Sequence, residues 1–179
     1  MVKRTLPDQA RLRECFDYDP VTGALYWRER PLSHFLDEWR WKIWNKQHAG
    51  KIAGFPRPDG YRCITIDNKQ YIVHLIIWML VKGYRPEHFI DHKNRNRTDN
   101  SWHNLREATP SQNQRNNGCV GPSGFKGASI AKNNKFNALI RVGPKMRYLG
   151  TFATAQEAHA AYCAAAQSLF GEFWYDGHS

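Results

Sequence analysis

The clearest regular pattern lies in the middle of the chain, where apolar and polar positions alternate. Ile64 and Ile66 alternate with polar neighbours, the polar residues 67–69 follow, and Tyr71 and Val73 resume the alternation. A period of two is typical of a strand with one buried face, and Asp-Asn between two such runs is a turn signal. The pattern therefore predicts a β-hairpin.

Three helices are predicted around this hairpin. Thr5 is placed to cap a first helix, with Pro7 early in it. Residues 33–47 carry apolar residues at near-helical spacing behind Ser33, and we expect that stripe to lie in the core. The apolar run after the hairpin predicts a short buried helix that ends at Gly83. The stripe consists of Phe35, Leu36, Trp39, Ile43 and Trp44.

Residues 89–116 predict a strand, a loop, a second strand and a short helix. The first strand ends in Asp91 and His92, a polar and basic loop follows, and residues 105–108 return as the second strand. Thr109 is a good helix N-cap because a proline follows it and a glutamine stands three residues later. The pattern places the Asp-His pair at one end of this unit.

The composition changes at residue 116, where Gly, Asn, Pro and Ser become frequent, as in a linker or exposed loop. Three short strand-like runs follow. Thr154 then opens a helix of regularly spaced alanines, and with Glu157 it forms a capping box. The predicted fold class is α+β, with one domain over residues 1–117 and a second over residues 118–179.

The overall charge favours a polyanionic partner. The chain has 179 residues, a formal net charge of +10 and a sequence pI of about 9.6. Such an excess attracts nucleic acid without specifying a fold. The longest apolar run, residues 71–81, is far short of the roughly 20 residues that span a bilayer, and the first residues lack the apolar stretch of a signal peptide. We expect a cytoplasmic protein that binds no membrane.

The cysteines give no sign of a zinc site. Cys15, Cys63, Cys119 and Cys163 are widely separated and form no C-x-x-C pair. Free thiols in a reducing compartment are the better interpretation.

The 89–116 segment carries the residues that phosphodiester hydrolysis requires. A hard divalent cation prefers oxygen ligands, and Asp91 and the side-chain carbonyl of Asn113 supply two. A neutral imidazole beside the metal, His92, can take a proton from the attacking water near pH 7. The donor set predicts one Mg²⁺ or Mn²⁺ per site, with no zinc expected.

The stretch IDHKNRNRTDNSWHNLREATPSQNQRN, with YDPVTGALYW and AGKIAGFPRPDGYRCITIDNKQYIVH before it, resembles the HNH nuclease family, in its homing-endonuclease branch of phages and introns. The resemblance covers roughly residues 10–117 and implies the ββα-metal (His-Me finger) fold. It implies that Asp91 and Asn113 bind the metal, that His92 is the general base, and that Asn104 is the middle asparagine that braces the loop. Asn100 is the rival for that last position.

The same resemblance suggests phosphate contacts and leaves one histidine open. Arg106 and Arg115 lie close enough in sequence to touch phosphates, and Lys93 and Arg95 are phosphate-directed residues of the loop. Family members often have His-Arg where this chain has His74-Leu75, so no basic contact carries over at residue 75. His74 lies between apolar residues, and a satisfied core histidine is the more favourable interpretation.

Residues 124–174 resemble the ethylene-response-factor (Apetala-type) DNA-binding domain, through SGFKGASI, KFNALIRV and YLGTFATAQEAHAAYCAAAQSLFGEF. That family has a three-stranded antiparallel sheet, packed on one α-helix, that lies in the major groove. Alternation then places one face of the middle strand against DNA. Leu139 and Ser129 replace charged residues of the plant members, so the plant target sequence does not carry over. The expected DNA contacts are Lys126, Asn137, Arg141 and either Arg147 or Tyr148.

Together these features predict a site-directed endonuclease that acts on double-stranded DNA in a bacterial or phage-infected cell, with no obligate protein partner evident. The alternative is a non-catalytic DNA-binding protein, such as a phage regulator that kept the scaffold and lost cutting. A single centre per chain predicts nicking of one strand.

Overall fold

The computed structural model describes residues 5–116, 118 and 121–177, which form two compact units. The first unit spans residues 1–107 and the second spans residues 108–179. The predicted boundary at residue 117 falls outside the described residues, as does Cys119. The division of the chain into a nuclease domain and a reader domain at that point stays a prediction.

The first unit is built from small sheets and three helices. Its strands are β1 (Phe16–Tyr18), β2 (Leu25–Trp27), β3 (Phe55–Pro56), β4 (Arg62–Ile66), β5 (Lys69–Ile72) and β6 (Phe89–His92). Its helices are α1 (Gln9–Cys15), α2 (Glu38–His48) and α3 (Val73–Lys82). Strands β1 and β2 pair, β3, β4 and β5 form an antiparallel sheet, and β6 pairs with β7 (Leu105–Ala108).

The predicted hairpin and the helix after it are confirmed. Strands β4 and β5 pair antiparallel, and Asp67 and Asn68 in the turn both have positive φ, as a tight hairpin turn requires. Helix α3 ends at Gly83, whose φ of 77° closes the helix in the left-handed conformation. Most of α3 is buried, and it supplies the central residues of the first unit's core.

Two helix predictions were wrong in detail. Helix α1 begins after Asp8, whose carboxylate accepts a hydrogen bond from the backbone of Arg11, so Thr5 is not its cap. Helix α2 begins after Asp37 rather than Ser33. The apolar stripe lies in the core only in part, because Trp44 packs against the core while Leu36, which precedes the helix, is 85% and Trp39 70% exposed. Helical spacing shows which residues share a face, whereas burial depends on what covers that face.

The second unit contains α4 (Pro110–Arg115), β8 (Ala128–Ile130), β9 (Phe136–Val142), β10 (Lys145–Phe152) and α5 (Ala155–Phe170). Strand β9 lies between β8 and β10 in an antiparallel sheet, and α5 packs against all three strands. Small side chains make this packing close. Ala138 and Ile140 of β9 meet Ala158, Tyr162 and Ala166 of α5 in the core.

Capping boxes open both helices of the second unit. The hydroxyl of Thr109 accepts from the backbone of Gln112 while the Gln112 side chain accepts from the backbone of Thr109, and Thr154 and Glu157 repeat the arrangement at α5. Each box satisfies two backbone donors that a helix start leaves unpaired. Both boxes were predicted from sequence and are confirmed.

No helix in the described part of the chain is long and apolar enough to cross a membrane. Among the described cysteines, Cys15, Cys63 and Cys163 are free thiols, which agrees with the sequence interpretation for these three.

Candidate active site

Asp91 and His92 are the last two residues of β6, and both side chains are buried. The neighbouring strand β7 brings Arg106 beside Asp91. The guanidinium donates from Nε to Oδ2 of Asp91 over 2.9 Å, and Nη2 lies 2.8 Å from the same oxygen. Since both side chains are only 7% exposed, this is an ion pair shielded from water. A carboxylate left alone at such a depth would be strongly unfavourable, so Arg106 holds Asp91 in place.

This pairing corrects the expectation that Arg106 reaches a phosphate. Its charge is directed at Asp91 inside the fold, and its side chain is buried. Asp91 and Arg106 are fifteen positions apart on two neighbouring strands, so no local sequence signal predicts that they pair.

The ring of His92 is oriented by Asn100. Nε2 of His92 lies 3.2 Å from Oδ1 of Asn100, whose Nδ2 donates to the carbonyl of Thr98. Because a carbonyl oxygen can only accept, Nε2 carries the imidazole hydrogen and Nδ1 keeps its lone pair. Burial lowers the pKa of His92, and the bond to Asn100 and the nearby Asp91 only partly oppose that shift. The site thus holds a neutral histidine in one tautomer.

The two candidates for the middle asparagine, Asn100 and Asn104, make different contacts. Oδ1 of Asn104 accepts from the backbone of Asn94, and its Nδ2 donates to the carbonyl of Asp99, so Asn104 ties the two ends of the loop together. Asn100 contacts His92 instead. In the structure, Asn104 therefore braces the loop, and Asn100 contacts and orients the ring of His92.

Asp99 is a loop residue that sequence reasoning missed. Its side chain accepts from Nδ2 of Asn94 and from both the backbone and the hydroxyl of Ser101. The bond from the Ser101 hydroxyl is the main reason that the pKa of Asp99 is lowered. The sequence Asp-Asn-Ser is a usable signal, since an aspartate followed two residues later by serine often forms such a turn.

The turn between β1 and β2 supports the same loop from behind. The hydroxyl of Tyr18 donates to the carbonyl of Asn100, and the backbone of Trp102 donates to that of Pro20. Gly23 lies so close that an added Cβ would sit 2.3 Å from the backbone nitrogen of Ser101. A larger residue at this position would displace the loop, which explains a glycine in YDPVTG.

His74 is the nearest titratable neighbour of His92. The ring centroids are 5.2 Å apart at an angle of 72°, and burial lowers the pKa of His74 to about 3. Its Nδ1 has no hydrogen-bond partner among the described residues. An unsatisfied buried polar atom costs about 1–3 kcal/mol. The expected satisfied core histidine is therefore wrong in one respect, because it is buried but not satisfied.

Asn113, the second predicted metal ligand, lies on α4 in the second unit, and its role as a ligand stays a prediction. Among the described residues, no group of three or more His, Cys, Asp or Glu could hold a metal ion. A site of one carboxylate and one amide oxygen is not such a group, so this finding does not bear on it. The fit of a metal rests on the chemistry of the donors, since both offer the hard oxygens that Mg²⁺ prefers.

The basic residues of α4 and the following loop are engaged within the second unit. The guanidinium of Arg115 lies 4.1 Å from the centroid of the Phe170 ring. Nζ of Lys126 donates to the carbonyls of Arg115 and Tyr175, over 2.6 and 2.9 Å. This corrects the expectation that Lys126 faces DNA, because its ammonium points at backbone oxygens. Arg115, at the end of α4, packs its guanidinium on the ring of Phe170.

The outer face of the second unit's sheet carries the other predicted DNA contacts. Asn137, Leu139 and Arg141 alternate with the core-facing residues of β9. The register places Tyr148 opposite Leu139, on the same face, whereas Arg147 stands opposite the buried Ile140. Of the two alternatives left by the sequence, the register favours Tyr148.

A hydrogen-bonded chain joins three side chains on this outer face. The hydroxyl of Thr151 lies 2.5 Å from Oδ1 of Asn137, which can only accept, so Thr151 donates there. Thr151 then accepts from the hydroxyl of Tyr148 over 2.6 Å. Asn137 is thereby fixed with its Nδ2 hydrogens available as donors.

The comparisons with known proteins agree with the site in the first unit. Residues 71–115 match the HNH endonuclease family. An uncharacterized HNH endonuclease of Acanthamoeba polyphaga mimivirus is 29% identical over 140 residues, which cover 77% of this chain and 70% of the relative. No solved structure shows a significant match to the chain. The matched segment contains Asp91, His92, Asn104 and Asn113, and it is similar to an HNH endonuclease domain.

Proposed function

We propose that the chain is a site-directed DNA endonuclease of the homing type, which nicks one strand of double-stranded DNA by hydrolysing a phosphodiester bond. The observation that carries this proposal is the neutral His92, held in one tautomer beside Asp91. A general base must be unprotonated at the working pH and must present its lone pair in a fixed direction. Both properties follow from the contacts described above.

In this mechanism His92 removes a proton from the attacking water at Nδ1. The water oxygen then forms its bond to phosphorus as the bond to the leaving oxygen breaks. Because Asn100 accepts from Nε2, it stabilises the imidazolium that forms when Nδ1 gains the proton. Asn104 keeps the two ends of the loop together during this step.

Asp91 and Asn113 would hold one Mg²⁺ or Mn²⁺, as the family resemblance implies. When bound, such an ion neutralises charge on the scissile phosphate. Arg106 has a separate task, which is to fix the carboxylate of Asp91 through Oδ2. The hard oxygen donors of this set favour magnesium or manganese over zinc.

The second unit would read the DNA sequence, in the manner of the ethylene-response-factor domains that it resembles. Arg141 is exposed on the outer face of β9 and offers the geometry that reads guanine. Asn137, with Oδ1 held by Thr151, would offer Nδ2 donors to base acceptors. Lys93 and Arg95 would contact phosphates from the loop after His92, without reading sequence.

The direct test is incubation with supercoiled phage or host DNA, with Mg²⁺ or Mn²⁺ and in excess chelator. We expect nicked circles with either metal and none in chelator. A protein that binds DNA tightly but leaves it intact under all metal conditions would support the non-catalytic alternative. Robust cutting in chelator would contradict the metal mechanism.

A further inference from the structure

Two rings, those of His74 and Tyr61, lie beside the candidate base His92 and form a three-membered cluster with it. His74 lies 5.2 Å from His92 and 5.2 Å from Tyr61, at angles of 72° and 68° between the ring planes. Tyr61 in turn lies 5.9 Å from His92. The two contacts of His74 are edge-to-face, which is favourable and directional, whereas Tyr61 and His92 are tilted by 49°. With a ring packed on each of two sides, the His92 ring has little freedom to rotate.

The third member of the cluster is itself held in place. The guanidinium of Arg97 lies 4.9 Å from the centroid of the Tyr61 ring, and its Nη1 donates to the carbonyl of Asp59 over 2.7 Å. Tyr61 is therefore held by the exposed Arg97, and His74 is buried in α3. Together they fix the orientation of the His92 ring.

A histidine in the core at position 74 lowers the stability of the fold, because it buries a polar nitrogen. Helix α3 is otherwise apolar there, and Nδ1 of His74 has no hydrogen-bond partner among the described residues. A leucine of similar bulk would avoid that cost. The cost alone does not indicate a role, because Nε1 of Trp78 on the same helix also lacks a partner within the described part of the chain. The difference is the neighbour, since Trp78 packs on Trp102 whereas His74 packs on His92.

We propose that His74 is a positioning residue for His92 and that its ring, together with Tyr61, holds the base in the orientation where Nε2 meets Asn100 and Nδ1 points to the reaction. This inference rests on the proposed function, in which His92 is the general base. The low pKa of His74 supports it, because a protonated neighbour would repel the charge that develops on His92.

The test compares His74→Leu, His74→Phe and the matched control Trp78→Phe in the full chain. His74→Leu should lower kcat roughly 10- to 100-fold, the usual effect of misplacing a catalytic group. KM and DNA affinity should stay unchanged, and the melting temperature should stay the same or rise because an unsatisfied atom is removed. His74→Phe restores a ring and should recover most of the lost kcat. Trp78→Phe removes the other unsatisfied atom and should cut at the wild-type rate.

A structural role would give a different pattern, in which kcat and melting temperature fall together. That result, or a His74→Leu protein that cuts at the wild-type rate, would overturn the inference. If His74→Leu does not fold, the imidazole nitrogen NMR shifts of His92 in Tyr61→Leu decide the matter. We expect loss of the single Nε2-protonated tautomer, and an unchanged spectrum would refute the proposal. The proposed function fails separately, if His92→Ala cuts as fast as the wild-type protein.

Discussion

The loop around His92 and the outer face of the second unit's sheet are both predicted to meet DNA, yet they are built in opposite ways. At the start of this loop, Asp91 and His92 are buried, and each is held by a neighbouring side chain, Arg106 and Asn100 respectively. On the sheet, Arg141 is exposed, and Asn137 is fixed only through its neighbours on the same face. The difference matches the two proposed tasks, since chemistry needs a fixed geometry with little water, whereas reading bases needs accessible donors.

This contrast predicts that the two regions respond differently to removal of one charge. Arg106→Met leaves Asp91 buried without its partner, so we expect the free energy of unfolding to fall by about 3–5 kcal/mol. Urea denaturation measures the change. The matched control is Arg28→Met, because Arg28 pairs with Asp17 at the surface over 3.7 Å and should cost no more than about 1 kcal/mol. Equal losses in the two variants would contradict the positioning role of Arg106.

The sheet should instead show an effect on sequence preference with no loss of stability. Arg141→Ala should relax selection at one base-pair position, by about 1–3 kcal/mol. Binding-site selection with the full chain and the variant measures this directly. Lys145→Ala, at the exposed start of β10, is the control and should weaken binding to all sequences alike. An unchanged consensus for Arg141→Ala would place sequence reading elsewhere.

The buried histidines make the first unit sensitive to acid. The pKa of His74 is lowered to about 3 by burial, so between about pH 6.5 and 3 the unfolded chain binds a proton that the folded chain does not. Stability should therefore fall as the pH falls through this window, by up to about 1.4 kcal/mol per pH unit for this group. His74→Leu should show a shallower dependence and Trp78→Phe the wild-type one, in urea denaturation at pH 7, 6 and 5. Identical slopes in all three proteins would contradict the burial of an uncharged His74.

The smallest effect is expected at two basic residues of the loop, Lys93 and Arg95. Lys93→Ala should weaken binding to all sequences and reduce the log–log salt slope of affinity by about 1, because one phosphate contact is lost. Arg95→Ala should act in the same way. Affinity titrations between 50 and 200 mM salt, roughly the range over which counterion release is resolved, provide the measurement. A variant with changed base preference and unchanged salt slope would show that these residues read sequence.

Structural features that depend on neighbouring residues were predicted well from the sequence, whereas contacts between distant residues were not. The capping boxes at Thr109 and Thr154 and the hairpin turn at Asp67-Asn68 depend on residues within a few positions of one another, so the sequence alone predicted them. The exposure of Leu36, just before α2, and of Trp39 on α2 was not predictable in this way. Nothing in the spacing of Leu36 and Trp39 shows whether another element covers them.

The same distinction between local and distant contacts applies to the candidate site. The positions of Asp91 and His92 at a strand end follow from the local pattern, and the structure places them there. The hydrogen-bond partners of these two residues could not be predicted from the local pattern. Arg106 contacts Asp91 from the neighbouring strand, and Asn100 contacts His92 from the other side of the loop. The contact between His74 and His92 joins α3 to β6 and has no local signal at all.

Helix α4 also changes how the two regions should be tested. Its last residue, Arg115, contacts Phe170 and accepts a hydrogen bond from Lys126, so a chain ending at residue 117 would lose both contacts. A chain truncated at residue 117 is for this reason an ambiguous test of chemistry. Single substitutions in the full chain keep these contacts and avoid the ambiguity.

The most direct test of the account compares His92→Ala with His103→Ala, an exposed histidine of the same loop. Both variants should bind DNA with wild-type affinity, because a neutral imidazole contributes little to phosphate contacts. Under single-turnover conditions with Mg²⁺, His92→Ala should cleave roughly 10²- to 10⁴-fold more slowly, the usual contribution of a positioned general base, while His103→Ala should cleave at the wild-type rate. Near wild-type cleavage by His92→Ala would contradict the assignment of the base.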